Sequence, residues 1–295
     1  MRFRRVLVIV NPASRRGRRV AAEAERAFAE AGVETEVTLT EAPGHGAQLA
    51  ARLASSYDAV FTVGGDGTAM EVVGALAHIG PPVGILPGGT GNVIARTLGT
   101  PVNIGKAVNV LLNGDEARID LGLLSTGQRF AIGMGVGLDA TMIANAPGAL
   151  KRRIGFFAYV IGALKAFVKL ETFTVRLTVD GVTREMRASA VLVANFGAVM
   201  NNLLTFGDGI QRDDGVLNAC VYSPRNAVDA IRILWGMARK KFKPDPCVFY
   251  LAGSSFQIET VPARLGQADG ELIGDSPFSI TVEPLAARVL VPKRS

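Results

Sequence analysis

The residues best suited to chemistry lie in a glycine-rich segment with one acid at its centre. The stretch VFTVGGDGTAM, residues 60–70, places Gly64, Gly65 and Gly67 after an apolar run, with Asp66 between them. Glycines after a strand let backbone N–H groups approach a phosphate, and a helix that begins there points its positive end at the same place. A carboxylate facing phosphate is repelled unless a cation lies between them. The segment therefore predicts either an acid that caps the helix or a phosphate site that contains Mg²⁺.

Two more polar loops follow predicted strands in the same part of the chain. They are NPASRRG at 11–17 and PGGTGN at 87–92. The first offers neutral donors at Asn11 and Ser14 beside several arginines, and the second offers the backbone amides of its glycines and of Thr90. Because loops at the carboxyl ends of parallel strands meet at one edge of a sheet, we expect all three loops to converge on one crevice.

The elements that would position these loops alternate between strand and helix up to about residue 113. Apolar runs predict strands, and a 3.6-residue periodicity predicts helices, with Gly or Pro at their boundaries. The strands are Arg5–Val10, Glu34–Leu39, Ala59–Val63 and Val83–Leu86, and the helices are Arg18–Ala31, His45–Leu53 and Thr68–His78. This alternation indicates an α/β domain with a parallel sheet, right-handed crossovers and helices on both faces.

The sequence changes character after about residue 115, where short β-rich runs and Asp-Gly turn signals predict a second, mainly antiparallel domain with inserted helices. Its strands are predicted at 119–124, 129–134, 173–179, 188–194, 216–222, 256–260 and 278–283, its helices at 148–169 and 226–240, and its Asp-Gly turns at 180, 208, 214 and 269. We expect the domains to comprise residues 1–125 and 126–285. A last apolar run, at about 286–293, is a candidate strand that returns to the first domain.

Composition narrows the classes of partner. A chain of 295 residues with 48% hydrophobic and 20% charged residues predicts one or two globular domains. The net charge of +6 favours acidic partners such as nucleotides, anionic lipid surfaces or nucleic acid.

Cys220 and Cys247 are far apart and lack metal-ligand spacing, so we expect a reducing compartment and neither disulfide nor zinc site. The apolar segment 154–170 is interrupted at Lys165 and is too short to span a bilayer.

Several familiar catalytic motifs are absent from the sequence. There is no P-loop, no His-Arg-Asp or Asp-Phe-Gly of protein kinases, and no Gly-x-Ser-x-Gly nucleophile elbow. The stretch GVGLDA, residues 135–140, fits a dinucleotide-binding pattern, but it lies in the β-rich half and no acid follows about twenty residues later. What remains is a phosphate site built mainly from backbone amides.

The ordered set of motifs resembles the diacylglycerol kinase catalytic-domain superfamily, which includes bacterial diacylglycerol kinases, sphingosine kinases and ceramide kinases. The resembling segments are VNPASRRG, GGDGTAMEVVGAL, GILPGGTGNVIARTLG, GVGLDATMI, LKRRIGFFAYVIGAL, GDGIQRDDGVLNACVY and ADGE. They cover nearly the whole chain. The resemblance implies a phosphofructokinase- and NAD kinase-like α/β domain followed by a β-sandwich lipid-substrate domain, and transfer of the γ-phosphoryl group of ATP to a lipid hydroxyl.

The resemblance also implies roles for individual residues. Its ATP-binding set corresponds here to Asn11, Thr40, Gly64, Gly65, Asp66, Gly67, Thr68, Ala69, Met70, Gly89 and Thr90. Glu271, in ADGE, resembles the general base that deprotonates the lipid hydroxyl. Asp66, which would serve Mg²⁺–phosphate chemistry, is the alternative base. From the residues alone, Glu271 is also explained as a solvated acid beside an Asp-Gly hairpin turn.

A second, structural Mg²⁺ is implied at QRDDGV, where Asp214 and the carbonyls of Gln211 and Val216 would hold it. Read without the resemblance, the same residues are equally explained as an Asp-Gly turn. The sequence departs from the superfamily at Val93, where many bacterial members carry an aspartate, so a carboxylate contact at this position is not expected here.

The acceptor and the cellular setting are inferred from the same resemblance. The amphipathic stripe of 151–169 is explained either by core packing or by contact with acyl chains, and the basic run 239–243 would favour an anionic membrane. We therefore expect a cytoplasmic protein, peripheral to the inner membrane face, that binds ATP, Mg²⁺ and a lipid but no nucleic acid. Diacylglycerol is the leading acceptor. Alternative acceptors are sphingosine, ceramide or a soluble metabolite as in NAD kinase. A non-enzymatic alternative is a nucleotide-regulated binding module, and a homodimer is possible.

Overall fold

The structure is a computed structural model and describes residues 2–14, 17–137, 172–199, 204–207, 209–239 and 245–293. The predicted helix 148–169, the apolar segment 154–170 and the end of GVGLDA lie outside the described residues. The chain forms two compact units, which are Met1–Ile119 with Leu285–Ser295 (unit 1) and Asp120–Pro284 (unit 2). No helix in the described ranges is long and apolar enough to cross a membrane.

Unit 1 alternates strands and helices, as the sequence predicts. Its elements are β1 (Arg5–Val10), α1 (Gly17–Glu30), β2 (Glu34–Leu39), α2 (His45–Leu53), a 3₁₀ turn (Ala54–Ser56), β3 (Ala59–Gly64), α3 (Asp66–Ala75), β4 (Val83–Pro87), α4 (Val93–Thr97), α5 (Ile104–Leu112) and the first half of β5 (Asp115–Leu124). The short helix α4 and the helix α5 were not predicted.

Unit 2 consists mainly of short strands. Its elements are the second half of β5, then β6 (Arg129–Phe130), β7 (Gly133–Gly137), β8 (Phe173–Val179), β9 (Val182–Ala188), β10 (Ala190–Ala194), β11 (Ala198–Val199), β12 (Leu204–Thr205), β13 (Leu217–Tyr222), α6 (Ala227–Arg239), β14 (Val248–Gly253), β15 (Ser255–Val261), β16 (Leu265–Ala268), β17 (Glu271–Asp275) and most of β18 (Phe278–Val291). The end of β18 belongs to unit 1.

The sheet of unit 1 is parallel, in the order β2-β1-β3-β4, and Val289 of β18 pairs in parallel with Val83 of β4. Strands β3 and β4 are buried throughout, which is why they read as unbroken apolar runs. Phe28 of α1 packs edge-on against Phe61 of β3, with ring centroids 4.7 Å apart. This packing fixes a rigid sheet from whose carboxyl ends the polar loops emerge.

Unit 2 contains two antiparallel sheets whose inner faces share one core. One has the order β14-β13-β10-β7-β16-β17, and the other pairs β18 with β15, β15 with β8 and β8 with β9. Buried residues of both sheets belong to a single apolar cluster that includes Val136, Val193, Leu177 and Phe256. Two antiparallel sheets over one core form a β-sandwich, which confirms the predicted fold class.

Several predicted strands of the second half have different bounds in the structure. The run 129–134 is divided into β6 and β7, and the run 188–194 overlaps the separate strands β9 and β10. The run predicted at 278–283 continues to Val291, so the return strand expected near 286 is the end of β18. The described strands β11, β12, β14, β16 and β17, and most of β9, were not predicted.

Candidate active site

The glycine segment of unit 1 forms a tight turn from β3 into α3. Gly65 is the N-cap of α3 in an extended conformation, and no side chain caps the described first turn. A Cβ added at Gly64 would lie 2.7 Å from the Cβ of Thr68, so only glycine lets the helix begin this close to the strand. The first N–H groups of a helix have no partner within it, and together with the helix dipole they favour an anion. Position and chemistry thus agree with the predicted phosphate loop.

Asp66 is the first residue of α3 and caps a different helix from the one predicted. Its Oδ1 accepts a hydrogen bond of 2.9 Å from the backbone N–H of Ile94, at the start of α4. The interpretation of Asp66 as the cap of its own helix is therefore wrong, since Gly65 has that position. The acid instead supplies negative charge to the N-terminus of α4, where this chain carries Val93.

The electrostatic setting of Asp66 makes its charge costly. The residue as a whole is partly exposed, whereas its carboxyl group lies among protein atoms. Burial raises the pKa of Asp66, and the N–H groups of Ile94 and Val93 lower it by less. A Cβ at Gly91 would lie 3.0 Å from Oδ2 of Asp66, so a side chain there would crowd the second oxygen. The arrangement favours a bound proton or a cation at this carboxylate.

Direct contacts join the first polar loop to the glycine loop. The amide nitrogen Nδ2 of Asn11 donates to Oγ1 of the buried Thr68 at 3.0 Å, and Oδ1 of Asn11 accepts from the N–H of Ala13 at 2.9 Å. The hydroxyl of Ser14 donates to the Asn11 carbonyl at 2.8 Å. The side chains expected to be neutral donors for a ligand therefore also hold the two loops in place.

The third loop packs against the glycine loop by backbone contact. The N–H of Gly88 donates to the carbonyl of Gly64 at 3.0 Å, and a Cβ at Gly89 would lie 2.6 Å from the Cα of Gly65. The N–H of Gly89 donates to Oδ1 of Asn92 at 2.8 Å. The expectation that the Gly88 and Gly89 amides face phosphate is therefore wrong, because both already donate within the protein. The predicted convergence of the three loops is confirmed.

Two polar residues that shape these loops were missed. Asn92 has a positive φ of 48° and closes the third loop through two hydrogen bonds with Gly89. Glu71, on α3, accepts hydrogen bonds from the N–H groups of Gly44 at 2.8 Å and Gly46 at 3.0 Å, at the N-terminus of α2. The Glu71 carboxylate therefore serves the neighbouring helix and not the start of its own.

The remaining residues of the predicted ATP set differ in exposure. Thr40 and Ala69 are buried, and the N–H of Thr40 donates to the Val10 carbonyl at 2.8 Å. Met70 is partly exposed, and Thr90 is exposed. Thr40 and Ala69 are thus placed to shape the loops of unit 1, whereas Thr90 has a side chain that a ligand can reach.

In unit 2, the acid predicted to be the base follows a rigid hairpin turn. Asp269 and Gly270, with φ angles of 46° and 90°, join β16 to β17 in the conformation that an Asp-Gly type I′ turn requires. The Asp269 carboxylate accepts hydrogen bonds from three consecutive N–H groups, of Ala131 at 2.6 Å, Ile132 at 2.9 Å and Gly133 at 3.0 Å. The tip of the hairpin is therefore fixed to the start of β7.

Glu271 is the first residue of β17, opposite Ala268 in the antiparallel pair, and its side chain is exposed. Oε1 of Gln267 accepts from the N–H of Gly270 at 2.7 Å, which further restrains the turn before it. The backbone at Glu271 is thus held firmly while its carboxylate remains accessible. A general base needs both properties.

The turn predicted to hold a structural Mg²⁺ is stabilised by protein groups. Oδ1 of the exposed Asp214 accepts from the N–H of Val216 at 3.2 Å. The buried Asp120 accepts from the N–H of Gly215 and donates its own N–H to the Arg212 carbonyl, both at 2.7 Å. Within the described ranges no group of three or more Asp, Glu, His or Cys side chains forms a metal-binding cluster. The set of Gln211, Asp214 and Val216 relies on carbonyls and stays a prediction.

Comparison with known proteins identifies both halves of the chain. Residues 5–124 match the sequence profile of the diacylglycerol kinase catalytic domain, and residues 132–291 match that of the YegS C-terminal NAD kinase beta sandwich-like domain. The chain is 27% identical to a Bacillus subtilis diacylglycerol kinase over 297 residues, which cover 99% of this chain and 97% of the relative.

Further matches agree in both sequence and fold. An uncharacterized Synechocystis protein is 29% identical over 238 residues, and the match covers 79% of this chain but only 54% of that protein's length. The crystal structure of a candidate diacylglycerol kinase from Bacillus anthracis superposes with a TM-score of 0.83 at 26% identity, covering 99% of this chain and 96% of that one. The chain thus belongs to the diacylglycerol kinase catalytic-domain superfamily and is a kinase.

Proposed function

We propose that the protein transfers the γ-phosphoryl group of ATP to the hydroxyl of a diacylglycerol-like lipid, with Mg²⁺ as cofactor. The observation that carries the proposal is the position of Asp66. Its carboxylate lies between the N-termini of α3 and α4, its pKa is raised by burial, and one of its oxygens is already held by Ile94. The charged form of such a carboxylate is unfavourable on its own. It becomes favourable when a cation lies between the carboxylate and a bound phosphate.

The phosphate groups of ATP are assigned to the uncapped first turn of α3, from Gly65 to Thr68. Asp66 fits Mg²⁺ because this cation is usually bound by one or two carboxylates together with substrate phosphates and waters. The metal, when bound, neutralises charge on the phosphate oxygens during transfer. Asn11 and Asn92 keep the loops in register around these groups through the hydrogen bonds described above.

Glu271 is assigned as the general base. Its carboxylate takes the proton of the lipid hydroxyl, the hydroxyl oxygen forms a bond to the γ-phosphorus, and the bond from that phosphorus to the β–γ bridging oxygen breaks. ADP then leaves with the electron pair of that bond. The exposed side chain on a fixed turn supports this role, and Asp66 is the alternative base.

The acceptor is assigned as a lipid because the full-length relatives that match nearly the whole chain are named diacylglycerol kinases. A cytoplasmic protein that visits the inner membrane face, as a monomer or homodimer, is consistent with such an acceptor. A second candidate is a soluble metabolite, because the second half of the chain matches a domain described as NAD kinase beta sandwich-like. Sphingosine and ceramide remain alternatives within the lipid class.

The test is to incubate the protein with γ-labelled ATP, Mg²⁺ and a total lipid extract, and to identify labelled products by mass spectrometry. Label is expected in phosphatidic acid and absent with Glu271→Gln. Glu259→Gln, an exposed acid of β15, is the matched control and should retain full transfer. Label found only on NAD or another water-soluble acceptor, in the absence of lipid, would overturn the lipid assignment. A Glu271→Gln variant as active as Glu259→Gln would overturn the base.

A further inference from the structure

The helix α6 of unit 2 is apolar on two opposite sides. Its inner side packs on the sandwich, where Ala230 and Ile233 join a buried cluster with Cys220 and Tyr222. Its outer side exposes three large apolar residues, which are Val228 at 71%, Ile231 at 58% and Trp235 at 59% of their surface. Spacings of three and four residues place these side chains on one face. The inner side already anchors the helix, so folding does not explain the outer one.

The chain segment that contains α6 is basic. Residues 225–245 contain six Lys or Arg and two Asp. Both acids pair with the same cation, since Arg232 lies 2.8 Å from Asp229 and 2.8 Å from Asp245. Beyond these two pairs, the described cations of the segment are Arg225 and Arg239, and Lys240, Lys241 and Lys243 follow the helix in the sequence. The apolar face of α6 therefore ends at an exposed arginine, within a segment whose basic residues outnumber its acids.

Trp235 and Arg239 link the apolar and the charged parts. The guanidinium carbon of Arg239 lies 4.4 Å from the centre of the Trp235 ring, a cation–π contact one turn along the helix. Trp side chains prefer the boundary between apolar and aqueous phases, and Arg can bury its aliphatic stem there while its charge stays at the headgroups. A helix with apolar residues on one face and cations beside them lies in the plane of a membrane surface.

We propose that the outer face of α6, defined by Val228, Ile231, Trp235 and Arg239, docks on the surface of an anionic lipid bilayer. The proposal rests on the proposed function, since it names the surface through which a kinase of membrane lipids would meet its substrate. Charge decides against a second copy of the chain as the occupant, because pairing two such faces would bring together two segments that each carry a net positive charge.

The chain itself provides a reporter, because Trp235 is its single tryptophan. Without ATP, adding vesicles of equal parts phosphatidylglycerol and phosphatidylcholine should move the fluorescence emission of Trp235 to shorter wavelengths. Phosphatidylglycerol vesicles that carry brominated acyl chains should quench it. Vesicles of phosphatidylcholine alone should have little effect, and high salt should weaken the response to anionic vesicles. An emission spectrum unchanged by anionic vesicles would overturn the proposal.

Substitutions then locate the contact, with co-sedimentation as the measurement. We expect Trp235→Ala to weaken vesicle binding by about tenfold. Arg239→Gln should weaken it by about fivefold, which is the effect of losing one basic residue near an anionic surface. Ile231→Thr should weaken it as well, whereas the matched change Val182→Thr, at a residue of β9 that is 61% exposed, should not. Equal binding by Ile231→Thr and Val182→Thr would contradict the docking surface.

Transfer to diacylglycerol in detergent micelles separates this proposal from the proposed function. We expect Trp235→Ala to keep full activity in micelles and to lose it on vesicles. Vesicle binding that depends on Trp235, in a protein that phosphorylates no lipid in micelles, would support the surface and refute the function. Normal activity in micelles, with vesicle binding that Trp235→Ala does not change, would support the proposed function and refute the docking surface. A homodimer that dissociates on Trp235→Ala would identify a second copy as the occupant and overturn the bilayer assignment.

Discussion

Asp66-Gly67 in unit 1 and Asp269-Gly270 in unit 2 are the same dipeptide, but their carboxylates have different surroundings. Asp66-Gly67 begins α3, whereas Asp269-Gly270 is the tip of the β16–β17 hairpin. The Asp269 carboxylate accepts three backbone N–H groups. Burial raises the pKa of Asp66, and the N–H of Ile94 offsets this only in part.

Under the proposed function, this difference separates an acid that holds the fold from an acid placed for chemistry. Three amide donors satisfy the charge of Asp269, so it needs no further ligand. The hydrogen bonds to Asp66 do not offset its burial, and acids in such a setting are concentrated at functional sites. Asp269 also matters for Glu271, because the turn that Asp269 holds in place comes directly before Glu271 in the hairpin.

The largest expected effect is on Glu271, the acid that the fixed turn presents. Glu271→Gln should lower kcat by about 10²–10⁴-fold, because a general base contributes that much to transfer. The melting temperature should not change, because the side chain is exposed. Steady-state rates with a lipid acceptor and a thermal melt of the same preparation check both. A loss of activity that follows a loss of folded protein would instead make Glu271 structural.

Asp269→Ala is the corresponding test of the structural acid. It leaves the N–H groups of Ala131, Ile132 and Gly133 without their acceptor, and should lower the free energy of unfolding by about 3 kcal/mol. Asp269→Asn keeps one acceptor oxygen and should cost less. Denaturant unfolding of both variants gives the comparison. If neither variant is destabilised, Asp269 does not hold the hairpin.

Substitutions at Glu71 test whether this acid of unit 1, like Asp269 of unit 2, stabilises the fold and has no direct contact with the nucleotide. Glu71→Ala removes the acceptor of the Gly44 and Gly46 N–H groups and should cost about 1–2 kcal/mol of unfolding free energy. Since α2 follows the loop of Thr40, KM for ATP should also rise. Glu71→Gln keeps one acceptor oxygen, so its losses of stability and of ATP affinity should both be smaller. An unchanged unfolding midpoint with a raised KM would indicate direct contact of Glu71 with the nucleotide.

The smallest expected effect is the dependence of stability on pH at Asp66. Because its pKa is raised on folding, its contribution to stability is greatest below the unfolded value of about 3.9 and falls as pH rises through the folded pKa. Asp66→Asn removes this cost while still accepting from Ile94. The metal-free variant should therefore melt above the wild type near pH 7, and the two should converge near pH 3. A lower melting temperature near pH 7 would mean that the Ile94 contact outweighs burial.

Sequence patterns predict the elements far better than the contacts between them. Helix α2 was predicted to the residue, because its apolar periodicity and its glycine boundary are local. The start of α3 was placed two residues late, because the carboxylate of Asp66 is used by Ile94, 28 residues away. The break between β6 and β7 was missed, because the N–H groups of Ala131 and Ile132 go to Asp269, more than a hundred residues later.

The candidate site shows the same limit. The glycine loop and ADGE are recognisable as motifs, but the capping of α2 by Glu71 is a long-range contact that no local pattern indicates. Asn92 had a usable signal, since an Asn that follows Gly before a helix favours positive φ. The sequence did not indicate that α6 exposes an apolar face. A helix with apolar residues on two sides has the same sequence pattern whichever of the two sides is buried.

The central claim is that Asp66 serves phosphoryl transfer whereas Asp269 serves the fold, and paired Asp→Asn variants test it most directly. The measurement is the initial rate of transfer from ATP to diacylglycerol in mixed micelles with Mg²⁺, with a melting curve for each protein. We expect Asp66→Asn to lose at least about 10³-fold in rate with no loss of melting temperature, and Asp269→Asn to lose melting temperature first. An Asp66→Asn variant that transfers phosphate at close to the wild-type rate would contradict the account.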